Sequence, residues 1–273
     1  MDRIDLHKIL RERVPRKYAR WIPGFLISGL ERLIHQRELN GVMDYAGETT
    51  GSAFCDKVME YFEIHTDLEG MEHIPDAPLI FVSNHPLGGL DGIALISTLG
   101  HRYGDEHIQF LVNDMLMNLE PLRPVFLPIN KYGSQGREAA TRIERAFESP
   151  ETQMMIFPAG LVSRLHPDGR IADLKWQKSF VQKAIEHRRD IVPIRFEALN
   201  RRRFYRLAKW RKKSGIKVNL EQALLPAELC ASRGKHLKIR FLPPVSWREL
   251  KRRVDAGESP TRIAADLRLL SNP

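Results

Sequence analysis

The sequence predicts an α/β fold: a mostly parallel central sheet flanked by helices, with an N-terminal helical extension. Three observations predict it. From residue 68 onward, short apolar, β-prone runs recur: "PLIFVS" (78–83), "IQFLVN" (108–113), "RPVFLPI" (123–129), "TQMMIFP" (152–158), "DIVPIRFE" (190–197) and "LKIRFLPP" (237–244). Helical patterns separate several of these runs, and strand and helix in alternation favour parallel pairing. Before residue 68 the texture is mostly helical. The expected organisation is therefore a helical segment over residues 1–67 and an α/β domain over residues 68–273.

In chain order, "WIPGFLISGL" (21–30) is the most apolar early stretch, and it falls short of the roughly 20 apolar residues that span a bilayer. Around "ISGLERLIHQREL", Ile27, Leu30, Leu33 and Ile34 recur at helical spacing. Glycine and threonine in "YAGETTGS" interrupt, and "FCDKVMEYFEI" resumes a helical pattern. Between the strand runs, "SQGREAATRIERAFESP" reads as an amphipathic helix closed by proline. "WQKSFVQKAIEHRRD" reads as another, with Phe180, Val181, Ala184 and Ile185 facing inward. In such sheets, sites gather at the C-terminal ends of strands. "SNHPLGGLDG" falls there, directly after "PLIFV".

A net charge of +9 and a pI near 9.7 favour an anionic partner: nucleic acid, an anionic membrane surface or a phosphorylated substrate. Cys55 and Cys230 lie in no CxxC and no metal spacing, which fits a reducing compartment and no metal. The N-terminus carries acidic residues and no apolar h-region, so it does not read as a signal peptide.

At the strand end, His85 supplies the side chain best suited to proton transfer near neutral pH. A carboxylate on the other ring nitrogen fixes the tautomer and stabilises the imidazolium, and Asp91 is the candidate. Gly88 and Gly89 permit the loop to fold back. A helix beginning near Gly92 would present free N–H groups to an oxyanion. No nucleophile elbow surrounds Ser83. The same residues also fit a turn in which Asp91 merely caps the next helix. A second strand end, "MMIFPAGLVSRLHPDGR", brings Gly160 for close backbone approach, the hydroxyl of Ser163 and the planar fork of Arg164. A third, "FLPINKYG", brings Asn130 and Lys131. Residues 201–213, "RRRFYRLAKWRKK", interleave Phe204, Tyr205, Leu207 and Trp210 with eight Lys/Arg. This stretch suits an anionic membrane, RNA or an acidic carrier protein, or a helix with an aromatic face in the core. Trp21, Phe25, Leu26 and Leu30 form a second membrane candidate.

These motifs together resemble the PlsC-like lysophospholipid and glycerolipid acyltransferase superfamily, from about residue 68 to 200. "NHPLGGLD" is similar to the first family motif, "PINK" to the second, "FPAGLVSR" to the third and "IVPIRF", with Pro193, to the fourth. Five residues separate His85 from Asp91 where the family has four, so the loop must bulge to pair them. Ala159 stands where the third motif usually has glutamate, and Leu161-Val162 where it has Thr-Arg. "FPAG-x-VSR" with a downstream "W-x-x-SF" is closer to the branch that carries a hemolysin label. That branch includes O-acyltransferases of amino-acid lipids such as lyso-ornithine or lyso-glycine lipids.

The resemblance implies transfer of a fatty acyl chain from an acyl carrier protein or coenzyme A thioester to a lysolipid hydroxyl. His85 would be the base and Asp91 its partner. Asn84, Asn130, Lys131, Gly160, Ser163, Arg164 and Lys178 are the expected substrate-binding residues. No covalent acyl-enzyme, cofactor or metal is implied. The expected partners are the thioester, the lysolipid and an anionic membrane surface, with no nucleic acid. The expected location is cytoplasmic, peripheral on the inner face of the plasma membrane. The competing readings are N-acylation of an amino group and a non-enzymatic, basic membrane- or nucleic-acid-binding protein.

Overall fold

Strand β2 (Leu79–Ser83) shows why the sheet sits at the centre. All five residues are buried, and successive side chains point to opposite faces. Leu79 and Phe81 enter one hydrophobic cluster, while Ile80 and Val82 enter another. A strand that is apolar on both faces must be covered on both, and helices do the covering. The computed structural model describes residues 24–129, 135–215 and 220–272.

The other strands are β1 (His65–Glu69), β3 (Ile108–Asn113), β4 (Phe126–Ile129), β5 (Gln153–Ile156), β8 (Asp190–Phe196) and β9 (His236–Phe241). A short antiparallel hairpin, β6 (Arg164–Leu165) and β7 (Ile171–Ala172), stands apart. The seven-stranded sheet has the order β1-β9-β8-β2-β5-β3-β4. From β8 to β4 every pairing is parallel; β9 runs antiparallel to β8, and β1 is parallel to β9. The expected mostly parallel sheet is thus present, and all six anticipated runs form strands.

One face is covered by helices α2 (Gln36–Ala46), α3 (Gly51–Tyr61) and α4 (Gly89–Tyr103), through residues such as Val42, Phe54, Val58, Leu95 and Leu99. Helix α1 (Gly24–Leu33) precedes them and packs against α2. The helical segment therefore shares one core with the sheet. The opposite face is covered by α5 (Gln135–Glu148), α6 (Ser179–Glu186), α9 (Trp247–Asp255) and α10 (Pro260–Ser271), through Phe147, Phe180, Val181, Leu250, Ile263 and Leu267. Ser246 and Ser259 cap α9 and α10, accepting the N–H of Arg248 and Arg262. Two further helices, α7 (Arg202–Lys213) and α8 (Leu225–Cys230), lie between β8 and β9.

Buried Arg189 ties three elements together without a carboxylate. Its guanidinium donates to the carbonyls of Phe147 (2.8 Å), Ala146 (3.2 Å), Thr152 (2.5 Å) and Ser149, which are the free carbonyls at and after the end of α5. Burial lowers its pKa to about 10, so it stays charged at neutral pH. Among the described residues, no helix is long and apolar enough to cross a membrane.

Candidate active site

The chain leaves β2 at Ser83 and enters α4 at Gly89, and the intervening turn is fixed at nearly every polar group. Asn84 is buried, and its carboxamide is committed to the backbone of Phe196 at the end of β8: Nδ2 donates to the carbonyl (3.0 Å) and Oδ1 accepts the N–H (2.7 Å). It ties the two central strands together at the rim. The His85 N–H donates to Asp173 Oδ1 at 3.1 Å, and its carbonyl accepts the Ser163 N–H at 2.8 Å. The Pro86 carbonyl accepts Asn200 Nδ2 at 3.1 Å.

Gly88 makes the bulge possible. Its φ of +83° and ψ of −124° are open to glycine and strained for other residues. A Cβ there would also meet Leu225 at 3.0 Å and Val162 at 3.2 Å. The turn brings His85 Nδ1 to 3.0 Å from Asp91 Oδ2, so the extra residue does not prevent the pairing. Nδ1 is not aligned for a hydrogen bond, and Asp91 Oδ1 has no partner among the described residues. Asp91 Oδ2 also accepts the N–H groups of Leu87 (2.9 Å) and Gly88 (3.0 Å). The capping turn and the His–Asp pair, alternatives in the sequence, therefore coexist.

Asp91 is fully buried. Burial is the largest influence on its carboxyl and raises it above the ordinary value, against the pull of His85 and the two backbone N–H groups. The His85 ring lies against Phe157, with ring centroids 4.2 Å apart and the planes tilted by 30°. Its side chain is 19% exposed although Nδ1 is buried, so the accessible edge is the Nε2 side. A buried carboxylate behind an imidazole with one open nitrogen can hold the ring and take up a developing positive charge.

The third-motif residues are arranged differently from expectation. Ser163 is buried, and its hydroxyl donates to Asp173 Oδ1 at 2.6 Å, so it braces the site and does not offer itself to a ligand. Arg164, expected to present its fork to a phosphate, turns that fork to Glu221 (2.8 Å) and the Val162 carbonyl (2.8 Å). Glu221 is fully buried and pairs with Arg211 as well (2.7 Å). Gly160 is exposed in the left-handed region (φ +65°), with no atom within 4 Å of a Cβ, which leaves its backbone approachable. Lys178 is exposed at the start of α6, one residue after Gln177, whose N–H donates to the Pro158 carbonyl at 3.0 Å. Asn130 and Lys131 lie outside the described residues.

No sequence motif marks Asp173, the buried hub of the site. It accepts from the His85 N–H, the Ser163 hydroxyl and Trp176 Nε1 (2.8 Å), and Arg268 and Asn272 at the end of α10 hold its backbone. Asn200 was also missed. Both belong to no family motif, and only the fold brings them beside His85. An open cleft of ≈ 630 Å³ lies between Gly169–Ile171 and Glu197–Leu199. Both walls run directly into residues that hold the His85 loop: Ile171 leads to Asp173, and Leu199 to Asn200.

Other candidates are otherwise engaged. On α7, Phe204 and Tyr205 face the interior, Leu207 is half-buried and Trp210 is largely outward. Trp21 and the side chains of Phe25, Leu26 and Leu30 lie outside what is described. Cys55 is buried, and burial pushes its thiol well above the ordinary range; burial also raises Cys230. Neither suits a nucleophile. Glu144, Glu186 and His187 cluster closely enough to hold a metal, but the Lys183 ammonium already lies among them, 2.6 Å from Glu144 and 2.8 Å from Glu186.

Comparison with known proteins shows the family of the chain. A lyso-glycine lipid O-acyltransferase of Bacteroides thetaiotaomicron is 41% identical over 262 residues, covering 96% of this chain and 93% of that protein. A protein of the same name from Phocaeicola vulgatus is 41% identical over 245 residues, covering 89% and 86%. The crystal structure of the 1-acyl-sn-glycerophosphate (LPA) acyltransferase PlsC of Thermotoga maritima aligns over 96% of this chain and 93% of that one, with a TM-score of 0.44 and 14% identity. Residues 8–261 match the family described as Acyltransferase. The resemblance carried by the four motifs is borne out, and with it an enzymatic role in place of a purely binding one: the chain belongs to the acyltransferase family.

Proposed function

We propose that this acyltransferase moves a fatty acyl group from an acyl carrier protein or coenzyme A thioester to the hydroxyl of a lyso-glycine-type lipid. The observation that carries the mechanism is the His85–Asp91 pair, 3.0 Å apart, with the Nε2 edge of the ring open. His85 Nε2 removes the hydroxyl proton as the oxygen attacks the thioester carbonyl. The tetrahedral oxyanion faces the first turn of α4, where Asp91 takes the N–H groups of Leu87 and Gly88 and leaves those of Gly89 and Leu90. Collapse re-forms the carbonyl and breaks the C–S bond, and the departing thiolate receives from His85 the proton taken from the hydroxyl. The products are an ester and a free thiol, with no acyl-enzyme. As proposed, neither cofactor nor metal takes part.

Asp91 contributes most when charge develops. In the resting site it is a desolvated carboxylate, and in the transition state an imidazolium forms beside it. The interaction is therefore stronger in the transition state than in the ground state, which is the condition for acceleration. The acceptor assignment is supported by the relatives' activity and by Arg164, whose guanidinium is held by Glu221 and offers no free fork to a phosphate. The cleft between Ile171 and Leu199 is the proposed seat of the acceptor, and the enzyme works peripherally on the inner face of the plasma membrane.

The test is mass spectrometry of products after acyl carrier protein and coenzyme A thioesters are each offered with lyso-glycine lipid, lyso-ornithine lipid, lysophosphatidic acid and an amine acceptor. An O-acylated glycine lipid is expected. A product formed only from lysophosphatidic acid, or only on the amine, would overturn the assignment.

A further inference from the structure

Helix α7 carries its charges in two distinct ways. Arg201, just before it, and Arg203 pair with buried Glu228, while Arg211 pairs with buried Glu221. These cations are neutralised from the protein side. Arg202, Arg206, Lys209 and Lys213 are exposed, and none makes an ion pair among the described residues. At helical spacing these four, with Trp210, fall within an arc of roughly 100°, opposite Phe204 and Ala208. The helix contains no acidic residue, and Trp210, 55% exposed, borders the cationic face.

We propose that this face of α7 is the surface by which the enzyme docks on an anionic lipid bilayer, with Trp210 entering the headgroup layer and the four cations meeting lipid phosphates. The inference rests on the lipid-acceptor reading above. A single indole among long, flexible cations matches the interfacial position of tryptophan beside an anionic leaflet. Nucleic-acid strands instead call for aromatic platforms on which successive bases stack, and α7 exposes one ring.

The helix is also joined to the catalytic loop. Phe204 and Tyr205 form a small cluster with Val162 and Leu224, and Ile171 and Leu225 pack against it. Ile171 lines the cleft, while Val162 and Leu225 crowd Gly88. The Tyr205 hydroxyl accepts the Asn200 N–H at 3.1 Å, and Asn200 holds the Pro86 carbonyl. A bilayer against the outer face therefore lies one helix away from the loop that carries His85.

The test uses the full chain and flotation with phosphatidylcholine vesicles, with and without phosphatidylglycerol. Wild type is expected to bind the anionic vesicles, less so as salt rises. The double variant Arg206→Glu/Lys209→Glu should lose roughly 25-fold or more in vesicle affinity, and Trp210→Ser several-fold, with unchanged melting temperatures. Acyl transfer to acceptor embedded in anionic vesicles should fall in parallel, and transfer to acceptor in detergent micelles should not. Charge reversal that leaves vesicle affinity unchanged overturns the proposal. So does charge reversal that abolishes affinity for acyl carrier protein or a polynucleotide and spares the vesicles. A wild type that binds vesicles through this face yet transfers no acyl group supports the docking surface and sinks the transfer reading alone.

Discussion

Asp91 is a carboxylate that folding pushes toward its neutral form, and that gives it two separable signatures. Because its folded-state pKa is raised, its contribution to stability is fully present below the ordinary carboxylate range and is lost as pH rises through the raised value. Asp91→Asn keeps an oxygen for the Leu87 and Gly88 N–H groups and removes the buried charge. We expect the variant to melt no lower than wild type at neutral pH, and its margin to shrink as the buffer is acidified below the carboxylate range. Its turnover should fall roughly 10³–10⁴-fold, as when a carboxylate no longer orients its imidazole. Melting curves across pH, with parallel rate measurements, check both. Gly88→Ala should behave differently: positive φ and contact with Leu225 and Val162 cost about 2–3 kcal/mol together, visible in denaturant titration, and turnover falls with stability. At this scale the sequence marked His85 and Asp91, because residue type and motif declare them. It could not mark Asp173 or Asn200, which touch the loop across about 90 and 115 positions of sequence.

At the scale of elements, two buried ionic groups hold pieces that hydrophobic patterning does not. Arg189 satisfies the carbonyls after α5, so Arg189→Leu strands several of them and should cost roughly 3 kcal/mol or more, read as a lowered urea midpoint. Glu221 is the shared acceptor for Arg164 and Arg211. Glu221→Gln leaves two half-buried guanidiniums facing a neutral amide and should cost roughly 2–4 kcal/mol, loosening α7 from the β6–β7 hairpin. Hydrogen exchange over residues 202–213 would register that loosening against an unchanged exchange rate in β2. The element boundaries show why periodicity reads some segments well and others poorly. β2, β5 and β8 declare themselves as apolar runs because both faces are covered. β1 is an exposed edge strand, "HTDLE", whose polar composition gives no strand signal. The pattern over 176–190 begins three residues before helix α6 because Trp176 is drawn off to Asp173. On α7 the aromatic interleaving was legible, but which ring faces outward was decided by packing.

On the scale of the whole molecule, the layered fold followed from alternation alone, since a sheet apolar on both faces requires helices on both. The antiparallel return of β9, with β1 beyond it, was not legible: it depends on α7 and α8 reversing the chain after β8. What the architecture supplies is convergence. The ends of β2, β5 and β8 and the chain after the hairpin all direct a residue at one loop, the end of α10 holds Asp173 in place, and the His85 ring keeps an open edge. The most direct test is the rate of ester formation from thioester and lyso-glycine lipid by wild type and His85→Ala, with melting temperature measured alongside. The account predicts a loss of roughly 10³-fold or more in turnover with melting unchanged. A His85→Ala protein that folds and still esterifies at the wild-type rate would contradict it.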